Sequence, residues 1–184
     1  MKRSPGTLRI IGGEWRRRLI EFDTAAGVRP TPDRVRQTLF DWLAPLIEGA
    51  HCLDLFAGSG ALGLEALSRG AAHVTFVERA ARPAGMIRAA LEKLGGTERA
   101  VIVASDAMNY SSPSRFDVVF LDPPFDSGLL KPALERLPPL LKLGSRVYLE
   151  YRDCFTPPPG YTLLREKKAG QVSYALATFS GVSK

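Results

Sequence analysis

Cys52-Leu53-Asp54-Leu55-Phe56-Ala57-Gly58-Ser59-Gly60-Ala61-Leu62-Gly63 changes periodicity partway along its length. Cys52 to Phe56 is an apolar, strand-like run broken by one acid, Asp54. Ala57 to Gly63 then reads as a glycine turn, and Leu64 to Arg69 as a helix that Gly70 stops. Gly58-x-Gly60-x-x-Gly63 is the spacing with which a backbone turns tightly against a nucleotide-like ligand, with a helix N-terminus beyond it.

Downstream the same alternation repeats. Val74 to Glu78 is a strand, Arg82 to Leu94 a helix closed by Gly95-Gly96, and Ala100 to Ala104 and Phe116 to Leu121 two further strands. Leu129 to Leu141 is helical with a break near Pro138-Pro139, and Ser145 to Tyr151 is again a strand. Such alternation predicts an α/β, Rossmann-like fold, a mostly parallel sheet with helices on both faces and ligands at the carboxyl ends of its strands. Tyr161 to Lys168 and Gln171 to Phe179, joined through Ala169-Gly170, depart from it as an antiparallel hairpin. Seven strands ending in such a hairpin are the arrangement of class I methyltransferases.

Upstream, Val35, Leu39, Trp42, Leu43 and Leu46 predict an amphipathic helix from about 33 to 47, with Thr31 near its N-cap and Asp33 in its first turn. Thr7 to Ile11 and Arg18 to Phe22 flank Gly12-Gly13-Glu14-Trp15 as a small hairpin. The expected organisation is therefore a basic extension over residues 1–28 and a catalytic domain over 29–184.

The 184 residues are 45% hydrophobic and 24% charged, enough for one sizeable core. No apolar run is long enough to cross a bilayer and no apolar leader follows the first residues, so a soluble, cytoplasmic protein is expected, and a monomer. Cys52 and Cys154 lack zinc-ligand or disulfide-framework spacing and read as structural thiols, and no metal is indicated. Of the net charge of +6, nearly all falls in residues 1 to 36, where nine basic residues oppose four acidic ones. A localised arginine-rich segment on a near-neutral domain is the footprint of a nucleic-acid binder, which nominates Arg9, Arg16, Arg17, Arg18, Arg29, Arg34 and Arg36 as nucleic-acid contacts. Trp15 is placed either to stack on a base or to anchor the hairpin.

Two cofactor classes share the glycine turn. Glu78, twenty residues after Gly58, suits the ribose hydroxyls of either. Asp54 is poorly matched to a pyrophosphate but well matched to a ligand carrying an ammonium and a sulfonium. Asp106, after the third strand, can bond an adenine amino group. A dehydrogenase would need an acid/base histidine, and His51 and His73 both fall at strand starts, so S-adenosyl-L-methionine is preferred over a nicotinamide.

The strand Phe116 to Leu121 stops abruptly at Asp122-Pro123-Pro124-Phe125. A carboxylate, carbonyls without intervening N–H groups and an aromatic ring suit a flat molecule with an edge amine. Asp-Pro-Pro-Phe resembles the catalytic motif of S-adenosylmethionine-dependent enzymes that methylate exocyclic amines of bases. More narrowly, Leu8 to Arg16, Arg29 to Phe40, Asp54 to Arg69 and Ala169-Gly170-Gln171-Val172 resemble the bacterial RsmD family, which methylates N2 of one guanine in small-subunit (16S) ribosomal RNA. The resemblance implies Thr31 near the methionine carboxylate, Asp54 and the turn Phe56-Ala57-Gly58-Ser59-Gly60 under the cofactor, Glu78 and Arg79 at its ribose, and Asp106 with Ala107 at its adenine. It implies Asp122 to Phe125 on the target base, with Asp122 also beside the cofactor, and a protein-bound assembly intermediate as substrate. A DNA adenine-N6 methyltransferase and a non-catalytic RNA-binding assembly factor are the competing expectations. The first normally carries a large target-recognition domain, for which 184 residues leave no room.

Overall fold

The computed structural model describes residues 4–25 and 29–181; Lys2 and Arg3, counted above in the basic segment, lie outside them. β1 (Gly6–Arg9) and β2 (Leu19–Phe22) pair antiparallel as a separate two-stranded sheet. α1 (Asp33–Leu43) follows and is shorter than its hydrophobic spacing suggests, because the chain leaves the helix at Ala44, just before Pro45. Its N-cap is Pro32, so Thr31 does not cap it; the Thr31 carbonyl instead accepts a hydrogen bond from Arg36 Nε at 3.0 Å.

The main sheet begins with β3 (His51–Asp54), after which α2 (Ala61–Ser68), β4 (His73–Val77), α3 (Ala81–Leu94) and β5 (Ala100–Val103) alternate as the sequence predicts. β6 (Phe116–Leu121), α4 (Leu130–Arg136), β7 (Leu141–Tyr151), β8 (Tyr161–Ala169) and β9 (Val172–Phe179) complete it. The strand order is β5-β4-β3-β6-β7-β9-β8, with β3 to β7 parallel and β9 antiparallel to both β7 and β8. The chain runs outward from β3 to β5 and then returns to lay β6 on the other side of β3. This reversal opens a crevice at the carboxyl ends of β3 and β6, where Asp54 and Asp122 stand.

Apolar side chains alternate across the buried strands and so supply two cores. On one face Phe40 of α1 packs on Phe120 with ring centroids 5.8 Å apart, and Trp42 stacks on Tyr174 at 5.5 Å. On the other, Leu134 and Leu137 cover Leu121, Val147 and Leu149. Every residue of α2 is buried, Glu65 and Ser68 included, because the sheet lies on one side of the helix and the β1–β2 hairpin on the other. Gly63 belongs to this helix rather than to the turn before it. A Cβ there would come within 2.2 Å of the Phe76 ring, so glycine is what lets α2 lie close to β4.

Candidate active site

The glycine turn is held from both sides. Ala57 N–H donates to the Val77 carbonyl at 3.1 Å, Gly60 N–H to the Ala57 carbonyl at 2.7 Å, and Leu64 N–H to the Gly60 carbonyl at 2.9 Å. Gly60 sits in the left-handed region at φ 74°, where a side chain would be strained and would also press on Ile87. The Ser59 hydroxyl accepts from Ala61 N–H at 3.3 Å, turning it inward, while Phe56 is half-buried.

Glu78 bridges the turn to the start of α3. One carboxylate oxygen accepts from Gly58 N–H at 2.9 Å and the other from Ala80 N–H at 2.8 Å. Both oxygens keep lone pairs in the plane of the carboxylate for a further donor such as a ribose hydroxyl. Asp106 caps the short turn Ala107–Asn109 by accepting from Met108 N–H at 2.8 Å, and Arg79, largely exposed, reaches its other oxygen at 3.7 Å. Glu78, Arg79, Asp106 and Ala107 thus lie along the ends of β4 and β5, as a nucleoside edge requires.

Three acids crowd the ends of β3, β6 and β7. Asp54 is buried and accepts from Gly63 N–H at 3.0 Å. Burial outweighs that hydrogen bond, and the Glu78 charge adds to it, pushing the carboxyl up to about 7. Asp122 is half-buried; desolvation first, then the charges of Glu150 and Asp54, hold it well above the usual carboxylate range. Glu150 is raised by burial as well, although hydrogen bonds from the Tyr148 and Thr31 hydroxyls favour its ionised form. Raised carboxyls of this kind fit S-adenosylmethionine, whose ammonium and sulfonium would supply the missing positive charge.

Glu150 was not anticipated. It ends a buried strand, as Asp122 does, and an acid in Tyr148-Leu149-Glu150-Tyr151 has no packing reason to be there; that signal was available. The Leu121–Leu149 register places Glu150 beside Asp122.

After Asp122 the chain is held by its own carbonyls. Pro124 accepts from both Ser127 N–H, at 3.0 Å, and the Ser127 hydroxyl. No hydrogen bond among the described residues uses the Pro123 carbonyl, which leaves it free beside the Asp122 carboxylate. Phe125 is 37% exposed, and the Arg152 guanidinium lies over its ring at 4.6 Å.

The basic residues divide in two. Arg9, Arg16, Arg17, Arg18, Arg29 and Arg34 are exposed, and Arg9 reaches Asp33 at 3.6 Å. An open groove of about 410 Å³ separates the β1–β2 hairpin from residues 30–33, lined by Arg9, Leu19, Phe22, Pro30 and Thr31. Arg36 is a correction: it is 1% exposed, pairs with buried Glu65 at 3.3 Å and with Asp33 at 2.6 Å, and donates to the Arg9 carbonyl at 2.9 Å. Glu65 also accepts from Ile11 and Gly12 N–H at 2.9 and 2.8 Å and from Arg69 at 2.8 Å. Arg36 therefore clamps the hairpin to α2, and its guanidinium is spent on four hydrogen bonds inside the protein. Trp15 is a second correction. Its ring is buried against Gly96 beneath the Arg99 guanidinium at 5.2 Å, where it anchors the hairpin and no base can reach it.

Comparison with known proteins bears on the chain as a whole. The profile of the family described as conserved hypothetical protein 95 matches residues 8–178. Ribosomal RNA small subunit methyltransferase D of Escherichia coli is 46% identical over 180 residues, covering 93% of this chain and 89% of that protein. The solved Escherichia coli protein yhhF superposes with a TM-score of 0.87 at 44% identity, over 95% of this chain and 99% of that one. At the level of fold alone, the Thermus thermophilus 16S rRNA N2 G1207 methyltransferase RsmC, solved with AdoMet and guanosine, superposes with a TM-score of 0.70 at 21% identity, over 97% of this chain and 50% of that one. A match spanning nearly the whole chain, with the acid-tipped crevice in place, leaves one assignment: the chain belongs to the family described as conserved hypothetical protein 95, the RsmD family that includes ribosomal RNA small subunit methyltransferase D.

Proposed function

We propose that this protein transfers the methyl group of S-adenosyl-L-methionine to the exocyclic N2 amine of a guanine in small-subunit (16S) ribosomal RNA, acting on a protein-bound assembly intermediate. Residues 29–184 form the methyltransferase domain in this reading and residues 1–28 its RNA-binding extension. The observation that carries it is the pair of unused acceptors at the end of β6, the Asp122 carboxylate and the Pro123 carbonyl.

S-adenosylmethionine supplies an electrophilic methyl when bound. Asp54, the turn Phe56 to Gly60, Glu78, Arg79, Asp106 and Ala107 hold it along the ends of β3, β4 and β5, with Thr31 at its methionine end. The guanine amine is a weak nucleophile because its lone pair is delocalised into the ring. Asp122 and Pro123 accept its two N–H bonds, fix its direction and stabilise the positive charge that grows on nitrogen as it attacks in line. Pro124 keeps the loop stiff, and Phe125 stacks on the extruded base, a contact worth about 1 to 3 kcal/mol. Arg9, Arg16, Arg17, Arg18, Arg29 and Arg34 hold the backbone of the same RNA.

The test is transfer of a tritiated methyl group to undermethylated small subunits, to free 16S rRNA and to DNA, followed by mapping of the modified nucleotide. N2-methylguanine in rRNA is expected, with Asp122→Ala slower by about 100- to 1,000-fold, by analogy with the loss of one oxyanion-hole donor in other enzymes. N6-methyladenine in DNA, or a wild-type rate in the variant, would overturn the assignment.

A further inference from the structure

We infer that the rim formed by Arg152, Lys167 and Lys168 is a second RNA-backbone surface, lying across Asp122 from the N-terminal arginines. It rests on the reading of the protein as an rRNA methyltransferase and adds where the strand leaves the site.

The topology places these residues at the catalytic end of the sheet. β7 runs parallel to β6, so Tyr151 and the adjacent Arg152 emerge beside the loop that carries Asp122 to Phe125. β9 returns antiparallel with Ser173 opposite Tyr151, and Lys168 of β8 lies opposite Ser173. Lys168 is thus two strand spacings from Tyr151, roughly 10 Å. The hairpin turns at Gly170, φ 64°, so its tip stands at the level of the crevice.

The charges on this rim are not spent internally. Among the described residues neither Lys167 nor Lys168 has an acidic partner, and the acid between Arg165 and Lys167, Glu166, accepts from the Tyr151 hydroxyl at 2.7 Å. Arg152 meets Asp126 at 3.4 Å, but Asp126 is 95% exposed, and a pair so open to water holds the guanidinium only weakly. Arg152 also lies over Phe125, the ring assigned to the target base. A strand whose base stacks there meets first a planar fork suited to phosphate and then the end of edge strand β8, from which Lys167 and Lys168 project to opposite faces. A solvent-facing edge strand such as β8 also carries lysines to repel other strands, which would account for Lys167 and Lys168. It would not account for Arg152, which lies outside the strand and against the acceptor loop.

The full-length protein, with Arg152→Ala and with Lys167→Ala/Lys168→Ala, is titrated with a 16S rRNA transcript across about 50 to 200 mM salt, alongside binding of S-adenosylmethionine by calorimetry. The slope of log affinity against log salt is expected to fall by about 0.7 per cation removed, with RNA affinity at mid-range salt weakened roughly 3- to 10-fold per variant and cofactor affinity unchanged. Wild-type slope and affinity, with or without new self-association in light scattering, would overturn the rim as an RNA surface. Unchanged binding of naked rRNA with reduced methylation of subunits only would overturn it in favour of a protein partner. Failure of the wild type to methylate any rRNA counts against the methyltransferase reading, whereas unaltered salt slopes in variants of an active enzyme count against the rim alone.

Discussion

The Asp54 carboxylate at the end of β3 accepts its hydrogen bond from the Gly63 amide in the first turn of α2, so the strand and the helix that bracket the glycine turn are joined by a single buried acid. Its carboxyl is pushed up to about 7 from an ordinary 3.8, a difference worth on the order of 4 kcal/mol. Because the folded value is the higher one, this stabilisation is complete below about pH 4 and disappears as the pH rises through about 7. The melting temperature of the ligand-free protein is therefore expected to fall between roughly pH 4 and 7, with Asp54→Asn showing a shallower decline. Asp122 and Glu150 shift in the same direction and should preserve part of the slope. Parallel curves for the variant and the wild type in differential scanning fluorimetry would contradict this.

The same raised carboxyls shape the rate. Asp122 accepts an N–H bond best when ionised, and its affinity for a proton is increased by burial, Glu150 and Asp54. Single-turnover methyl transfer is expected to decline on acidification well above the pH at which an ordinary aspartate protonates. Asp122→Asn should be slow and lack that acidic limb, which a pH–rate profile at saturating cofactor would show.

Gly63→Ala should cost about 1 to 3 kcal/mol, since the new methyl meets the Phe76 ring and α2 must move off β4. Such a shift also displaces the Gly63 amide from Asp54, so cofactor affinity should drop along with the denaturation midpoint in urea. A midpoint within experimental error of the wild type would mean that the helix has room that the packing denies.

Arg36→Ala removes the fully buried cationic partner of a fully buried glutamate and should destabilise the protein by about 3 to 5 kcal/mol. Replacing both members, Arg36→Met with Glu65→Leu, should be milder than Arg36→Ala, because no fully buried charge is then left without its partner, although the Ile11 and Gly12 amides lose their acceptor. Amide exchange at Ile11 and Gly12, both bonded to Glu65, should accelerate most in Arg36→Ala. Equal destabilisation by the single and double variants would argue that packing, not charge, dominates this contact.

The strand and helix alternation was legible because each buried strand is a continuous apolar run and each helix ends at glycine or proline. Asp122 was legible for a related reason: an acid at the tip of such a strand serves nothing in the core. Glu150 obeys that rule too and was passed over because it follows no proline signature. Arg36 was misread as an RNA contact, and Trp15 left open between a base and the hairpin, because neither a charge tally nor a spacing shows what lies beneath a residue. The missing clue was Glu65, an acid inside the otherwise apolar run Ala61 to Leu67, which demands a buried cation from somewhere else in the chain. Thr31 was taken for a cap because Thr-x-Asp before a helix usually marks one; here Pro32 is at the N-cap, and buried Thr31 offers its carbonyl to Arg36.

The clamp between Arg36 and Glu65 also sets the unit in which the protein can be recombined. A basic hairpin cut from one chain and joined to another at the point where its strands end would arrive with its backbone amides seeking an acceptor that the recipient's helix lacks. A transplant that keeps its grip must carry Gly12 to Trp15 together with Arg36, Glu65 and Ser68, residues scattered across more than fifty positions, so modularity in this fold follows the buried charge rather than the order of the chain.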